Sequence, residues 1–153
     1  MSTTISSTID IAATRDAVWK VLTDFAGYRE WNPIMKQIEG TAREGGELVV
    51  HMSGNGGRGS TFKPKVLGVI PGQELRWLGK LGLGGLFDGE HFFIFTTNDD
   101  GTTRLTHGEI SSGLLPALMK HRLEESDRED AEARARMFNR ALKNRVETTG
   151  DSR

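Results

Sequence analysis

Ile5, Ile9 and Ile11 share every second position with Ser7, and polar residues fill the places between them. That period predicts a first strand with one buried face. Thr14 then stands where a helix needs an N-cap, with Asp16 in the first turn, and Val18, Val21, Leu22 and Phe25 return on one side of a helix to about Thr23. The next segment, "DFAGYREWNP", carries Phe25, Tyr28 and Trp31 three apart and stops at Pro33. It predicts a second short helix with an aromatic stripe, unable to persist without packing. Strands follow near 35–41, 46–53, 61–70, 73–80, 88–97 and 102–112, separated by glycines or by turns such as Pro71-Gly72 and Asp99-Asp100-Gly101.

The last third changes period. "SDRE" at 126–129 has the form of a capping box. Ala131, Ala135, Phe138, Leu142 and Val146 then recur at three- and four-residue spacing, which predicts a helix to about Thr148. Acidic residues gather early in that helix and basic ones late, an order that suits its dipole. Asp130/Arg134 and Glu132/Arg136 stand at supportive spacing. The solvated face of a helix explains the basic run better than nucleic-acid binding does.

Composition narrows the field. Twenty basic and 21 acidic residues leave a net charge of -1, so no overall field recruits nucleic acid. The chain has no cysteine, which excludes disulfides, thiolate catalysis and cysteine-bound zinc. No apolar run is long enough for membrane insertion, and the first residues do not read as a signal peptide, so a cytoplasmic location is expected. Nineteen glycines cluster between the alternating segments, as hairpin loops do in an antiparallel sheet.

Five stretches, "AVWKVLTDFAGYREWNP", "VIPGQELRWLG", "LFDGEHFFIF", "DGTTRLTHGEISSGLL" and "MFNRALKNRVE", resemble in that order the START-like helix-grip (SRPBCC) superfamily. That group includes polyketide cyclase/dehydrases and lipid-transfer domains, and the likeness is nearest to its small single-domain bacterial members. It implies an α+β fold in which a seven-stranded antiparallel sheet, with two short helices after the first strand, wraps a long C-terminal helix. A cavity is expected between sheet and helix. On this reading residues 1–148 form one ligand-binding domain, 149–153 fray, and Phe25, Tyr28 and Trp31 close one end of the grip. Residues 114–125 depart from the pattern.

The candidate chemistry is sparse. "GLGGLFDG" and "GNGGRG" lack the ending of a phosphate-binding loop, so they read as hairpins at a pocket rim, and no cofactor motif is present. His51, His91, His107 and His121 do not have metal-site spacing. Alternation groups His91 with Phe93 and Phe95, and Leu105 with His107 and Glu109. A two-residue Asp100-Gly101 turn would set His91 opposite Ile110. A three-residue turn at 99–101 with Gly101 left-handed would instead set His91 opposite Glu109 and Phe93 opposite His107. The second is expected because it keeps the aromatic set and its partners on one face. There Glu109 would raise the histidine's pKa.

The expected function is binding of a small hydrophobic molecule, lipid-, polyketide- or steroid-like. Its contacts are expected from Trp31, Met52, Phe62, Trp77, His91, Phe93, Phe95, His107, Glu109, Phe138 and Leu142. A second reading makes the protein a cyclase/dehydrase or isomerase, with His91, His107 or Glu109 moving protons. A third is a protein-interaction domain of the chaperone-activator type, favoured if Phe92, Ile94 and Ile110 form an exposed outer patch. No protein partner is specified by the residues.

Overall fold

The alternating segments pair as two antiparallel sheets, with one long helix on the larger, as the computed structural model describes for residues 3–54, 59–80, 88–112 and 125–150. In chain order come β1 (Thr3–Ile11), α1 (Arg15–Thr23), a 3-10 turn (Phe25–Gly27) and α2 (Tyr28–Trp31). Strands β2 (Met35–Glu39), β3 (Val49–Met52), β4 (Ser60–Phe62), β5 (Lys65–Ile70), β6 (Glu74–Lys80), β7 (Asp88–Thr97) and β8 (Thr103–Ser112) follow. The helix α3 (Glu125–Gly150) is last.

The larger sheet has the order β1-β8-β7-β6-β5 and the smaller one β2-β3-β4. Eight strands are described where seven are expected, because the strand at 61–70 is two. Pro64 separates them: it has no N–H to give a ladder, though its carbonyl accepts from Leu48 N at 2.9 Å. That bond, with Val66 N to Gly46 O at 2.8 Å, stitches the small sheet to the edge of the large one. The result is a sheet that folds over on itself at β4–β5.

The cap on α1 forms as its sequence predicts, with Thr14 Oγ1 accepting from Ala17 N at 3.2 Å. Val18, Leu22 and Phe25 are buried beneath it. The aromatic stripe of the next segment meets solid protein. Phe25 packs edge-on against Trp77 with centroids 6.4 Å apart, while Tyr28 and Trp31 pack on Phe138. Tyr28 also donates its hydroxyl to the Leu22 carbonyl.

Helix α3 lies chiefly on β1 and α1, with lighter contact to β8. Phe138, Leu142 and Val146 are its buried face, as the spacing predicts. Polar tethers fix it lengthwise. Arg134 Nη2 donates to Ser53 O at 2.7 Å, so this arginine reaches to the sheet and not only along its own helix. Lys143 Nζ donates to Asp10 O at 2.7 Å and to Glu147 Oε1 at 3.0 Å, and Arg145 pairs with Glu30.

Both helix ends differ from expectation. Ser126 has helical backbone one residue inside the helix, where an N-cap would stand outside it, and its side chain lies outside the described residues. Nearly all of the 114–125 segment lies outside them too. At the far end the helix continues past Thr148, and Thr149 Oγ1 bonds back to Arg145 O at 2.8 Å, so the predicted fraying starts too early. No described helix is long and apolar enough to cross a membrane.

The convex face explains one further departure. Phe92 sits there yet is buried: it covers Gly108, its partner in β8, and the Arg76 guanidinium lies over its ring at 5.3 Å. Arg76 is held by Glu74 and by Glu90 at 3.3 Å. A Cβ at position 108 would come within 2.5 Å of that ring and 2.4 Å of Ile5 O, so the close approach requires glycine. The outer patch that would have favoured an interaction domain therefore lacks its largest member.

Candidate ligand-binding site

The β7–β8 hairpin sets the site. Asn98 N donates to Thr102 O at 2.8 Å, Gly101 N donates to Asn98 O at 2.9 Å, and Gly101 has φ +85°. This is the three-residue turn with a left-handed glycine. It places His91 opposite Glu109, Phe93 opposite His107 and Phe95 opposite Leu105, all facing inward as alternation predicts.

Two successive rungs of this ladder have different surroundings. At the inner rung His107 is 4% exposed, its ring stacked on Phe93 with centroids 4.5 Å apart and packed on Phe138 at 4.7 Å. His107 Nδ1 is 3.1 Å from Asn139 Oδ1, and Asn139 Nδ2 donates to Ser7 O at 3.4 Å. The asparagine carbonyl fixes the imidazole tautomer with the proton on Nδ1. Burial, with the neighbouring His91 adding to it against the Asn139 bond, lowers the His107 pKa to about 3, so the ring is neutral at pH 7.

One rung outward, His91 borders a cavity of about 260 Å³. Trp77, its partner in β6, stacks on it at 5.8 Å, and Glu109 Oε2 lies 3.4 Å from His91 Nδ1. Glu109 Oε1 accepts from Ser111 Oγ at 3.2 Å. Burial lowers the His91 pKa, and this outweighs the upward pull of the Glu109 carboxylate. The carboxylate pulls upward, as expected of it, but desolvation of the ring wins.

The opposite wall is the smaller sheet, with Met35 from β2, Val50 and Met52 from β3 and Phe62 from β4, and Pro64 follows. The hollow owes much to missing side chains. Gly79 and Gly89 are partners in the β6–β7 ladder, and both face the cavity. A Cβ on Gly79 would meet nothing nearer than Gly89 O at 3.8 Å. Lys80 is the one cation on the described walls, exposed at the strand end and opposite Asp88.

The structure thus brings Met52, Phe62, Trp77, His91 and Glu109 to one cavity. Phe93, Phe95, Phe138, Leu142 and His107 are packed together in the interior instead, and Trp31 packs on Phe138 and Tyr28. No described residue of α3 lines the cavity, which lies between the two sheets and not between sheet and helix. The reason is volume: Phe138, Leu142 and Val146 are buried under the C-terminal half of the helix and occupy the space there. Among the described residues no cluster of three His, Asp or Glu could hold a metal ion.

A family model described as polyketide cyclase / dehydrase and lipid transport matches residues 2–147. The chain belongs to this family. No curated protein matches it. Solved structures share the fold of this polyketide cyclase / dehydrase family member at low identity. A START superfamily protein from Mycobacterium smegmatis is 20% identical with a TM-score of 0.75, over 95% of this chain and 98% of that one. The Zhui aromatase/cyclase from Streptomyces sp. R1128 is 18% identical with a TM-score of 0.71, over 96% and 94%. The di-domain ARO/CYC StfQ of the steffimycin biosynthetic pathway is 15% identical with a TM-score of 0.76, over 99% of this chain and 53% of that one.

Sequence reasoning missed several walls of the family member's cavity: Met35, Val50, Pro64, Gly79, Lys80 and Gly89. The glycines had a usable signal. Gly79 is two residues beyond Trp77 and Gly89 two before His91, so both fall on the inward face by the same alternation. Met35 and Val50 had none, because nothing in their own strands tells a cavity wall from a core position.

Proposed function

We propose that this chain binds a small, mostly apolar molecule in the cavity between its two sheets, with His91 and Glu109 orienting the ligand's polar end. The observation that carries this reading is the composition of the walls: Met, Val, Phe and Trp side chains surround one histidine–carboxylate pair. Ligand pockets have that character, an apolar lining with few placed polar groups. At about 260 Å³ the space is just below the roughly 300–1,000 Å³ usual for drug-sized ligands. Burial at about 25 cal/mol per Å² of apolar surface drives the association. The family's description and the similarity to an aromatase/cyclase support a polyketide-like or lipid-like ligand.

Proton transfer on such a ligand is the second reading. One observation favours it: a neutral imidazole beside a carboxylate on a cavity wall is an arrangement that can accept and return a proton. His107 takes no part in it, since its ring is enclosed by Phe93, Phe138 and Asn139.

Titration with an apolar dye whose emission rises on burial tests the binding reading. Phe62 is 44% exposed, so Phe62→Glu puts a charge on the cavity wall without disturbing the core. Saturable dye binding in the parent, weakened at least tenfold by Phe62→Glu with unchanged circular dichroism, is the expected result. Absence of saturable binding to the folded parent overturns the proposal.

A further inference from the structure

We infer that Glu109 is a specificity-determining residue which makes the cavity select a neutral hydroxyl-bearing ligand over a carboxylate. The inference rests on the binding function just proposed and adds the chemistry of the ligand's polar end. The cavity wall presents two polar groups side by side, Glu109 and His91, with Oε2 and Nδ1 3.4 Å apart. That separation is long for a hydrogen bond but short for electrostatics, and it decides the tautomer. A neutral imidazole beside a carboxylate keeps its proton on the nitrogen nearer the negative charge. His91 is neutral at pH 7, because burial lowers its pKa despite that carboxylate. Nδ1 therefore carries the hydrogen, and Nε2 is left with a lone pair.

The two carboxylate oxygens already have neighbours, His91 Nδ1 for Oε2 and Ser111 Oγ at 3.2 Å for Oε1. What the pair offers a ligand is acceptors only: the imidazole Nε2 and the remaining lone pairs of a negatively charged carboxylate. A ligand hydroxyl can donate to either acceptor. A ligand carboxylate has no proton to donate and is repelled; solvent reaching the Glu109 side chain, 35% exposed, reduces that repulsion, and the apolar walls keep it stronger than in water. Lys80, the cation on the same wall, is exposed and stands opposite Asp88, so solvent and that acidic neighbour moderate its attraction. The stacked Trp77 and the flanking Met35 and Met52 favour an aromatic ring as the ligand's body.

A matched pair of probes tests this: 2-naphthol and 2-naphthoate share a ring system and differ in the polar group. Calorimetry or fluorescence at pH 7 should show the parent protein binding naphthol at least tenfold more tightly than naphthoate. Glu109→Gln keeps a hydrogen-bond acceptor beside His91 and removes the charge. It should strengthen naphthoate binding at least fivefold and lower the naphthol-to-naphthoate affinity ratio by at least that factor. Long-range nitrogen–proton NMR should find His91 protonated on Nδ1 in the parent. Naphthoate binding as tightly as naphthol, a ratio unchanged in Glu109→Gln, or a proton on Nε2 overturns the inference. If the apolar dye binds while either of the first two results appears, the selectivity fails and the binding function stands. If neither dye nor probes bind, both fall.

Discussion

His91 and His107 stand near each other in one hairpin, their rings 5.8 Å apart, and lead different lives. His107 lies under the helix, where Phe138 and Asn139 come down on it and bury it. His91 lies beyond that cover, where the small sheet arches over and two facing glycines leave a hollow. The same residue type on the same face is structural in one place and a candidate ligand contact in the other. Facing alone does not assign a role. What lies across the gap does.

The packed half should be the more sensitive to truncation. Phe138 is fully buried against Phe93, His107, Tyr28 and Trp31. Phe138→Ala should cost about 3–5 kcal/mol in urea unfolding, the range for large-to-small changes that leave a cavity. A loss below about 1 kcal/mol would mean that the space beneath the helix is not closely packed, and the contrast between the two halves would dissolve.

Acid should attack the same half next. The folded-state pKa of His107 is lowered from 6.5 to about 3, so the unfolded chain binds this proton more readily than the native one. Stability from the neutral ring is complete above about pH 6.5 and is lost as pH falls toward 3. His91 shifts in the same direction. Unfolding free energies from urea titrations between pH 7 and pH 4 should fall, by a few kcal/mol in all. The fall should be shallower in His107→Gln, and an identical slope in both proteins would refute the assignment of the titration to His107.

The hollow half should tolerate filling. A side chain on Gly79 points into open space, and its backbone is not in the left-handed region. Gly79→Leu should leave unfolding free energy within about 1 kcal/mol of the parent, since it adds buried apolar surface while removing a flexible residue. Dye binding should be weakened at least tenfold. Dye affinity retained in the Gly79→Leu protein would show that the ligand sits elsewhere.

Much of this protein is legible in its sequence because the information is local. Alternation set the strands and their inward faces, Thr14 capped α1, and the three- and four-residue spacing of Phe138, Leu142 and Val146 named the buried stripe of α3. The turn at 99–101 admitted two loop lengths. The need to keep His91, Phe93 and Phe95 on one face with their apolar partners chose three residues, and that register paired His91 with Glu109 across the hairpin. The location of the cavity was not local. It depends on where α3 lies over the sheet, on Pro64 letting the small sheet fold across, and on Gly79 meeting Gly89 on the opposite strand. The sign of the His91 shift is of the same kind. Its carboxylate partner could be read from register, whereas the desolvation that outweighs it comes from groups brought together only by the folded sheets.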